Sequence, residues 1–201
     1  TEACEYTNSF LSFKPTVAII LNVAADHLDF FKDLDDIRHS FREYARLVPD
    51  DGALIINSDI DNIEYFTEGL KCSVITVGSD PNKSMYSAAN ITFDEFARGS
   101  YDLVVNGEIK DHITLKVTGK HNIYNSLASI AAAHFMGISN KDIKTGLMAY
   151  EGTDRRFQLK GKLGDITIID DYAHHPDEIR ATLSTAKHYP HNKLWVVFQP
   201  H

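Results

Sequence analysis

Short apolar segments alternate with helical patterns along much of the chain, and this alternation is the strongest constraint on its fold. Val17–Val23 is an apolar run that only Asn22 interrupts, and further apolar runs follow at Gly52–Ile56 and Ser73–Val77. Between the first two runs, apolar residues recur three and four positions apart from Ile37 to Val48, which is the period of an amphipathic helix. Continuous apolar strands separated by helices are typical of a parallel sheet with both faces covered.

A different pattern begins after about residue 84. Tyr101–Val105 and Glu108–Val117 have the composition of strands, and Asn106–Gly107 between them is a type I′ hairpin signal. We therefore predict a small antiparallel addition at the edge of the parallel sheet. Further helices are predicted over Ile60–Leu70, over Asn122–Met136 and, after a capping box that begins at Ser139, up to Tyr150.

The short polar segment Glu151–Asp154 is the best candidate for a domain boundary. We predict two α/β domains: residues 1–152, with the parallel sheet and its antiparallel addition, and residues 153–201, the first βαβ part of a Rossmann-like domain. The elements predicted in the second domain are strands at Phe157–Lys162 and Ile166–Asp170, a helix from Pro176 to about Lys187 and a strand at Leu194–Phe198.

Charge and cysteine content restrict the partners and the compartment. The 28 acidic and 20 basic residues give a net charge of −8, and no basic stripe offsets it. Nucleic acid is therefore not the expected partner, since binding its phosphates needs clustered Lys and Arg. The longest apolar run is far shorter than the roughly 20 residues that span a bilayer, so no membrane is expected. Two cysteines without a C-x-x-C pattern favour a reducing cytoplasm.

Asn22, Asp26 and His27 lie at the carboxyl end of the first predicted strand. Ligands bind at the carboxyl ends of strands in open α/β sheets, and a histidine with carboxylates can hold a divalent cation. Glu2 and Glu5 can contribute if the opening residues end a neighbouring strand. The alternative is a solvated turn in which Asp26 caps a helix.

Two motifs have groups that suit an anion. Gly119 opens the helix that carries His121, Asn122 and Asn125, and a helix N-terminus favours phosphate. The alternative is that Asn122 only caps this helix. Arg155–Arg156, at the proposed boundary, can reach a phosphate, or can be a solvated pair.

The segment Asp170–Pro176 reads Asp-Asp-Tyr-Ala-His-His-Pro and brings carboxylates, a phenol and two imidazoles to the end of a strand. Phe198–His201 ends the next predicted strand on the same edge, so we expect both to face one cleft. The alternative role for His174 is to cap the helix that starts near Pro176. The sequence has no phosphate loop of the Gly-x-x-x-x-Gly-Lys-Ser/Thr type, so an ATP-dependent protein would carry this loop upstream of residue 1.

Taken together and in this order, the motifs resemble those of the Mur ligases, the ATP-dependent ligases of peptidoglycan synthesis. The stretches that carry the resemblance are 2–5, 22–29, 119–125, 152–157, 170–176 and 198–201. The resemblance implies most of a central ATPase domain and the start of an amino-acid-binding domain. The nearest pattern is that of the members that join L-alanine to UDP-N-acetylmuramate, which serve cell-wall formation, cell shape and division. Residues 1–201 alone are expected to be inactive.

The resemblance also implies roles in a reaction that uses ATP and Mg²⁺ and proceeds through an acyl phosphate. The implied magnesium ligands are Glu2, His27 and Glu5. The residues implied to bind ATP are Asn22, His121, Asn122, Asn125, Arg156, Asp170 and Asp171. The amino-acid pocket would contain Tyr172, His174 and His201, and the residues expected to act in catalysis are His27, Arg156 and His174.

Three alternatives remain open from the sequence. One is a murein-peptide recycling ligase of the same superfamily. Another is a metallohydrolase built from Asp26, His27, His174 and His175. The third is a nucleotide-binding module without catalytic activity.

Overall fold

The computed structural model describes residues 3–199, and its main sheet has six strands. They lie in sequence order: β1 (Val17–Ile20), β2 (Ala53–Asn57), β3 (Ser73–Val77), β4 (Tyr86–Phe93), β5 (Arg98–Val105) and β6 (Glu108–Thr118). The first three are parallel, β3 meets β4 in parallel through one residue pair, and β4, β5 and β6 are antiparallel. The predicted α/β class, a parallel sheet with an antiparallel addition, is confirmed.

The helices and a second, two-stranded sheet complete the fold. The helical elements are a 3-10 helix (Tyr6–Ser12), α1 (Leu34–Ala45), α2 (Glu64–Thr67), α3 (Lys120–Phe135), α4 (Asn140–Ala149) and α5 (Pro176–His188). The second sheet is the antiparallel pair β7 (Gln158–Leu163) and β8 (Ile166–Asp170). Among residues 3–199, no helix combines the length and the apolar character needed to cross a bilayer.

The core is divided into two layers by the parallel strands. Ala53 and Ile55 of β2 face a layer formed with α3, α4 and the antiparallel strands, while Leu54 and Ile56 face a layer formed with the 3-10 helix, α1 and α2. All four side chains have no solvent exposure. A strand buried on both faces needs an apolar residue at every position, which explains the continuous run in its sequence.

Local signals in the sequence act as predicted at two places. Asn106 and Gly107 have φ angles of 52° and 79°, the pair of positive values that a type I′ turn requires. The Ser139 hydroxyl accepts the backbone N–H of Asp142 at 3.2 Å and so caps α4. In contrast, β4 was not expected, because its polar residues and the register shift after Ala89 interrupt the alternation of a strand.

Two predicted elements were wrong in extent. The helix expected over Ile60–Leu70 is only the single turn α2, because Asn62 and Gly69 have positive φ angles of 53° and 80° that a helix cannot accommodate. The strand expected over Val17–Val23 ends at Ile20, and only one of its faces is buried.

The predicted strand at Leu194–Phe198 is not formed in the described part of the chain. Val197 is fully exposed, and β8 pairs with β7 rather than with this segment. The part of the chain from residue 153 to residue 199, called the second unit below, therefore consists of an antiparallel hairpin and a helix. The expected βαβ unit is not completed within residues 3–199. Apolar composition alone does not provide the backbone partner that a strand needs.

We predict that two identical substitutions on β6 differ strongly in effect. Ile113 is 3% exposed and belongs to the core, whereas Ile109 is 61% exposed on the same strand. Ile113→Ala should lower the free energy of unfolding by about 2–5 kcal/mol because it leaves a cavity, and Ile109→Ala by less than about 1 kcal/mol. Urea unfolding of both variants measures the difference, and equal losses would contradict the assignment of the core.

Candidate functional site

The loop after β1 has a defined backbone conformation. The Leu21 carbonyl accepts a hydrogen bond from Asn57 Nδ2 at 3.0 Å, which ties the loop to the end of β2. His27 has a φ angle of 51°, in the left-handed region, and its carbonyl accepts the N–H groups of Phe30 and Phe31, both at 2.9 Å. These contacts hold the His27 ring beside the carboxyl end of the sheet.

Glu5, Asp26 and His27 form a group of metal-ligand type. His27 Nε2 lies 3.9 Å from Glu5 Oε1 and 3.9 Å from Asp26 Oδ2, and one ligand atom from each residue lies within 4.8 Å of the others. It is the only such group found in the part of the chain that the structure describes. The Tyr6 ring packs against the imidazole, with 4.6 Å between centroids.

The donor set fits a hard divalent cation. Two carboxylates and one imidazole supply three ligand atoms, and all three side chains are partly exposed, which leaves positions for water or phosphate oxygens. The structure thus brings together two of the three predicted metal residues, Glu5 and His27, and adds Asp26. Glu2 lies outside the described residues. The alternative that Asp26 caps a helix is wrong, because Asp33 caps α1 by accepting the Asp36 N–H at 3.0 Å.

The N-terminus of α3 begins at Gly119, whose φ angle is 91°. A Cβ atom there would lie 2.7 Å from the His121 ring and 2.8 Å from the Thr185 hydroxyl of α5, so the glycine permits a close approach. Asn122 does not cap the helix: its amide donates to the Thr118 carbonyl at 2.8 Å and accepts from Asn125 at 3.2 Å. That capping alternative is therefore wrong.

Arg155 and Arg156 each have a partner within the second unit. Arg156 Nη1 lies 2.9 Å from Glu178 Oε1 of α5, and the Arg155 guanidinium lies 4.2 Å from the centre of the Tyr172 ring. Arg155 and Phe157 have positive φ angles of 60° and 47°, so the turn that carries the arginines is tightly bent. The alternative that Arg155 and Arg156 are only a solvated pair is therefore wrong.

Asp171 organises the loop that follows β8. Its carboxylate accepts the N–H groups of Phe157 and Ala173, at 2.9 and 2.8 Å, and the Thr182 hydroxyl at 2.9 Å. These bonds join the start of β7, the loop and α5. Asp170, by contrast, is the last residue of β8 and pairs with Gln158.

The two histidines of this loop have different contacts. His175 caps α5, because its Nδ1 accepts the N–H of Asp177 at 3.3 Å. His174 instead donates from Nδ1 to the Tyr172 carbonyl at 3.1 Å and lies edge-on to the Tyr172 ring at 5.3 Å. The alternative that His174 caps the helix is wrong, because its neighbour has that position.

A cleft of about 720 Å³ is lined by Glu5 and Asp26 of the metal-ligand group and by the start of α5. Its lining includes Glu5, Asn22, Asp26, His174 and Glu178. The residues of the proposed metallohydrolase are not assembled, since His174 and His175 do not belong to the group of Asp26 and His27.

The expectation that both loops of the second unit face one cleft is met by only part of the first loop, within the residues that the structure describes. Phe198 lines a separate hollow of about 220 Å³ together with Asp171, whereas His174 lines the larger cleft. The position of His201 lies outside the described residues.

Comparisons with known proteins agree on one family. The Mur ligase middle domain matches residues 2–133, and the Mur ligase glutamate ligase domain matches residues 155–201. The chain belongs to the Mur ligase family.

The chain spans about 44% of the length of its curated relatives. It is 64% identical, over its whole length, to the UDP-N-acetylmuramate–L-alanine ligase of Lachnospira eligens and covers 44% of that protein. The corresponding ligase of Lachnoclostridium phytofermentans is 52% identical, with 45% covered. The crystal structure of MurC from Thermotoga maritima is 29% identical with a TM-score of 0.76, covering 90% of this chain and 40% of that one.

Two residues of this Mur ligase site were absent from the roles that the resemblance implied. Asp26 completes the metal-ligand group, and its place directly before His27 was the available signal. Glu178 contacts both Arg156 and His174, and the signal was its spacing of four residues from His174 at the start of a helix. Burial raises the pKa of Glu178, but hydrogen bonds from Arg156 and the His174 N–H outweigh this effect, so its pKa lies below the ordinary value.

We predict that His121 makes this Mur ligase domain less stable in mild acid. Burial of the ring lowers the pKa of His121 below 6.5, and Arg156 adds to this while Asp171 opposes it. The folded chain then binds fewer protons than the unfolded chain, so stability falls as the pH drops through about 6.5 toward the lowered pKa.

His121→Gln should therefore lose less stability than the wild type between about pH 7.5 and about pH 5, as measured by urea unfolding. His39→Gln, on α1, is the control for removing an imidazole. An unchanged pH dependence in His121→Gln would assign the effect to other groups.

Proposed function

We propose that the chain is part of an ATP-dependent ligase that joins L-alanine to UDP-N-acetylmuramate in peptidoglycan synthesis. The observation that carries the proposal is the 64% identity over the whole chain to a relative of that name. Residues 1–152 would belong to the central ATP-binding domain and residues 153–201 to the amino-acid-binding domain. The cytoplasm is the proposed location, because two cysteines without a C-x-x-C pattern favour a reducing compartment.

Glu5, Asp26 and His27 would hold Mg²⁺, with Glu2 as a further candidate ligand. The cation, when bound, neutralises charge on the phosphate groups during phosphoryl transfer. The backbone of the chain holds these three side chains in position. The left-handed backbone at His27 and the tie between Leu21 and Asn57 orient the imidazole toward the two carboxylates.

The nucleotide would lie between the N-terminus of α3 and the start of the second unit. The backbone N–H groups that open α3, with His121, Asn122, Asn125 and Arg156, suit phosphate and base contacts. We propose Asp170 rather than Asp171 for the ribose, because the Asp171 carboxylate already accepts three hydrogen bonds from the chain. Asn22 lines the same cleft as Glu5 and Asp26.

The amino acid would be held by Tyr172, His174 and His201. His174 lines the same cleft as Glu5 and Asp26 of the metal-ligand group. A small zwitterion in this place would bring its amine near the carboxylate that the ligase activates. Much of the rate enhancement would come from positioning the reactants and from neutralising charge.

We predict that the complete protein forms the amide from UDP-N-acetylmuramate, L-alanine, ATP and Mg²⁺, and that His27→Ala weakens this activity. The loss should be partly reversed by raising Mg²⁺, because a missing ligand first lowers occupancy of the cation. Steady-state rates over a Mg²⁺ series provide the measurement. Asp29→Asn, in the same loop but outside the metal-ligand group, is the matched control. His27→Ala activity within about twofold of wild type at limiting Mg²⁺ would remove His27 from the site.

We predict that His174→Ala raises the KM for alanine and leaves the KM for ATP nearly unchanged. Loss of one hydrogen bond to a charged carboxylate should lower kcat/KM for alanine by about one to two decades. His175→Ala is the matched control, because it removes the cap of α5 and should lower the melting temperature instead. An unchanged KM for alanine in a folded His174→Ala variant would exclude His174 from the pocket.

A further inference from the structure

The Glu178 carboxylate connects two segments, one with Arg156 and one with His174. The resemblance implies that Arg156 binds ATP and that His174 binds the amino acid. The Oε1 atom of Glu178 accepts a hydrogen bond from Arg156 Nη1 at 2.9 Å. Its Oε2 atom accepts the backbone N–H of His174 at 3.3 Å and lies 3.6 Å from His174 Nδ1. One side chain thus holds the turn before β7 with one oxygen and the loop after β8 with the other.

The contacts of Glu178 differ from those of its acidic neighbour. Asp177 and Glu178 both lie in the first turn of α5, where a negative charge stabilises the helix N-terminus. Asp177 pairs with Arg180 of the same helix at 2.5 Å and lies 3.9 Å from the ring of the capping residue His175. Only Glu178 of these two acidic residues contacts Arg156 and His174. A role in helix stability is therefore shared by both, whereas the link between the two segments is specific to Glu178.

The location of the link relates it to the cleft. Glu178 and His174 both line the cleft that contains Glu5 and Asp26. Arg156 lies near enough to His121, at the start of α3, to contribute to its lowered pKa. Glu178 therefore fixes an arginine whose charge acts on His121 and a loop that lines the cleft together with Glu5 and Asp26. A long arginine side chain has large conformational freedom, which the charge-assisted hydrogen bond to Glu178 restricts.

We infer that Glu178 is a positioning residue that sets the places of Arg156 and His174 together, and thereby couples the nucleotide site to the amino-acid site. The inference rests on the proposed function. Because one carboxylate holds both segments, its loss should disturb the binding of two chemically unrelated substrates, an adenine nucleotide and a small amino acid. A residue of either site alone would disturb mainly one of them.

The test compares Glu178→Gln with Asp177→Asn in the complete protein. Glu178→Gln keeps the shape but loses the charge, and we expect the KM values for ATP and for alanine each to rise about tenfold, the effect of losing a charge-assisted hydrogen bond. Asp177→Asn removes the same charge from the same helical turn and should change neither KM by more than about twofold. Equal effects of the two variants, or unchanged KM values in folded Glu178→Gln, would overturn the inference.

A double-substitution cycle separates positioning from a general loss of stability. If Glu178 acts on ATP through Arg156, Glu178→Gln should add less than about twofold to the KM for ATP when Arg156→Ala is already present. Full additivity would overturn the inference. If Glu178→Gln fails to fold, Glu178→Asp takes its place, since the shorter side chain keeps the charge but cannot span both partners, and wild-type KM values in that variant would contradict the coupling.

The wild-type protein in the same assay distinguishes the two proposals. Absence of ligation by the wild type would contradict the proposed function. In that case calorimetry measures the affinity for ATP alone in the wild type, Glu178→Gln and Asp177→Asn. These affinities decide whether Glu178 positions the nucleotide site. Weaker binding by Glu178→Gln only would support the inference, and equal binding by all three would overturn it.

Discussion

Burial of β2 on both faces is the constraint on which the rest of the fold depends. Ala53, Leu54, Ile55 and Ile56 have no solvent exposure, so helices must cover the sheet on each side. The chain must then cross from one face to the other, and the parallel strands end at a common edge. The loop after β1 begins at this edge. The position of the metal-ligand group beside the sheet thus follows from the way in which the hydrophobic residues are buried.

The second unit depends more on polar contacts than on apolar burial. Asp171 joins β7, the loop after β8 and α5 through its carboxylate, and Glu178 joins α5 to Arg156 and His174. Hydrogen bonds to charged groups are stronger than those between neutral ones and have a defined direction. They give the loop a fixed shape although many of its side chains, such as Tyr172, are exposed.

The sequence was informative where a single physical cause determines the pattern. The apolar run of β2 and the Asn106–Gly107 turn were predicted because burial and positive φ angles leave direct traces in composition. Leu194–Phe198 is as apolar as β2, but composition reports the tendency to be buried and does not report a hydrogen-bonding partner. For this reason the same signal predicted one strand correctly and the other wrongly.

The site residues were predicted better than their contacts. Loops after strands indicated Asp26, His27 and His174, since ligand sites gather at the carboxyl edge of such sheets. No local pattern could show that Arg156 meets Glu178, because the two are 22 positions apart in the chain. Nor could it decide which of two adjacent imidazoles caps α5, as this depends on the direction of each ring relative to the helix axis.

The outward face of β1 has a consequence for the electric field in the cleft. Val17 and Ile19 of β1 and Leu21 directly after it form an apolar wall of the cleft that the carboxylates of Glu5 and Asp26 also line. Water near such a wall screens charge less effectively than bulk water does, so the potential of the carboxylates extends further into the cleft. A polyphosphate that enters without a counterion meets repulsion, whereas a cation is attracted. The cleft therefore discriminates between the two by charge at long range, before any hydrogen bond forms.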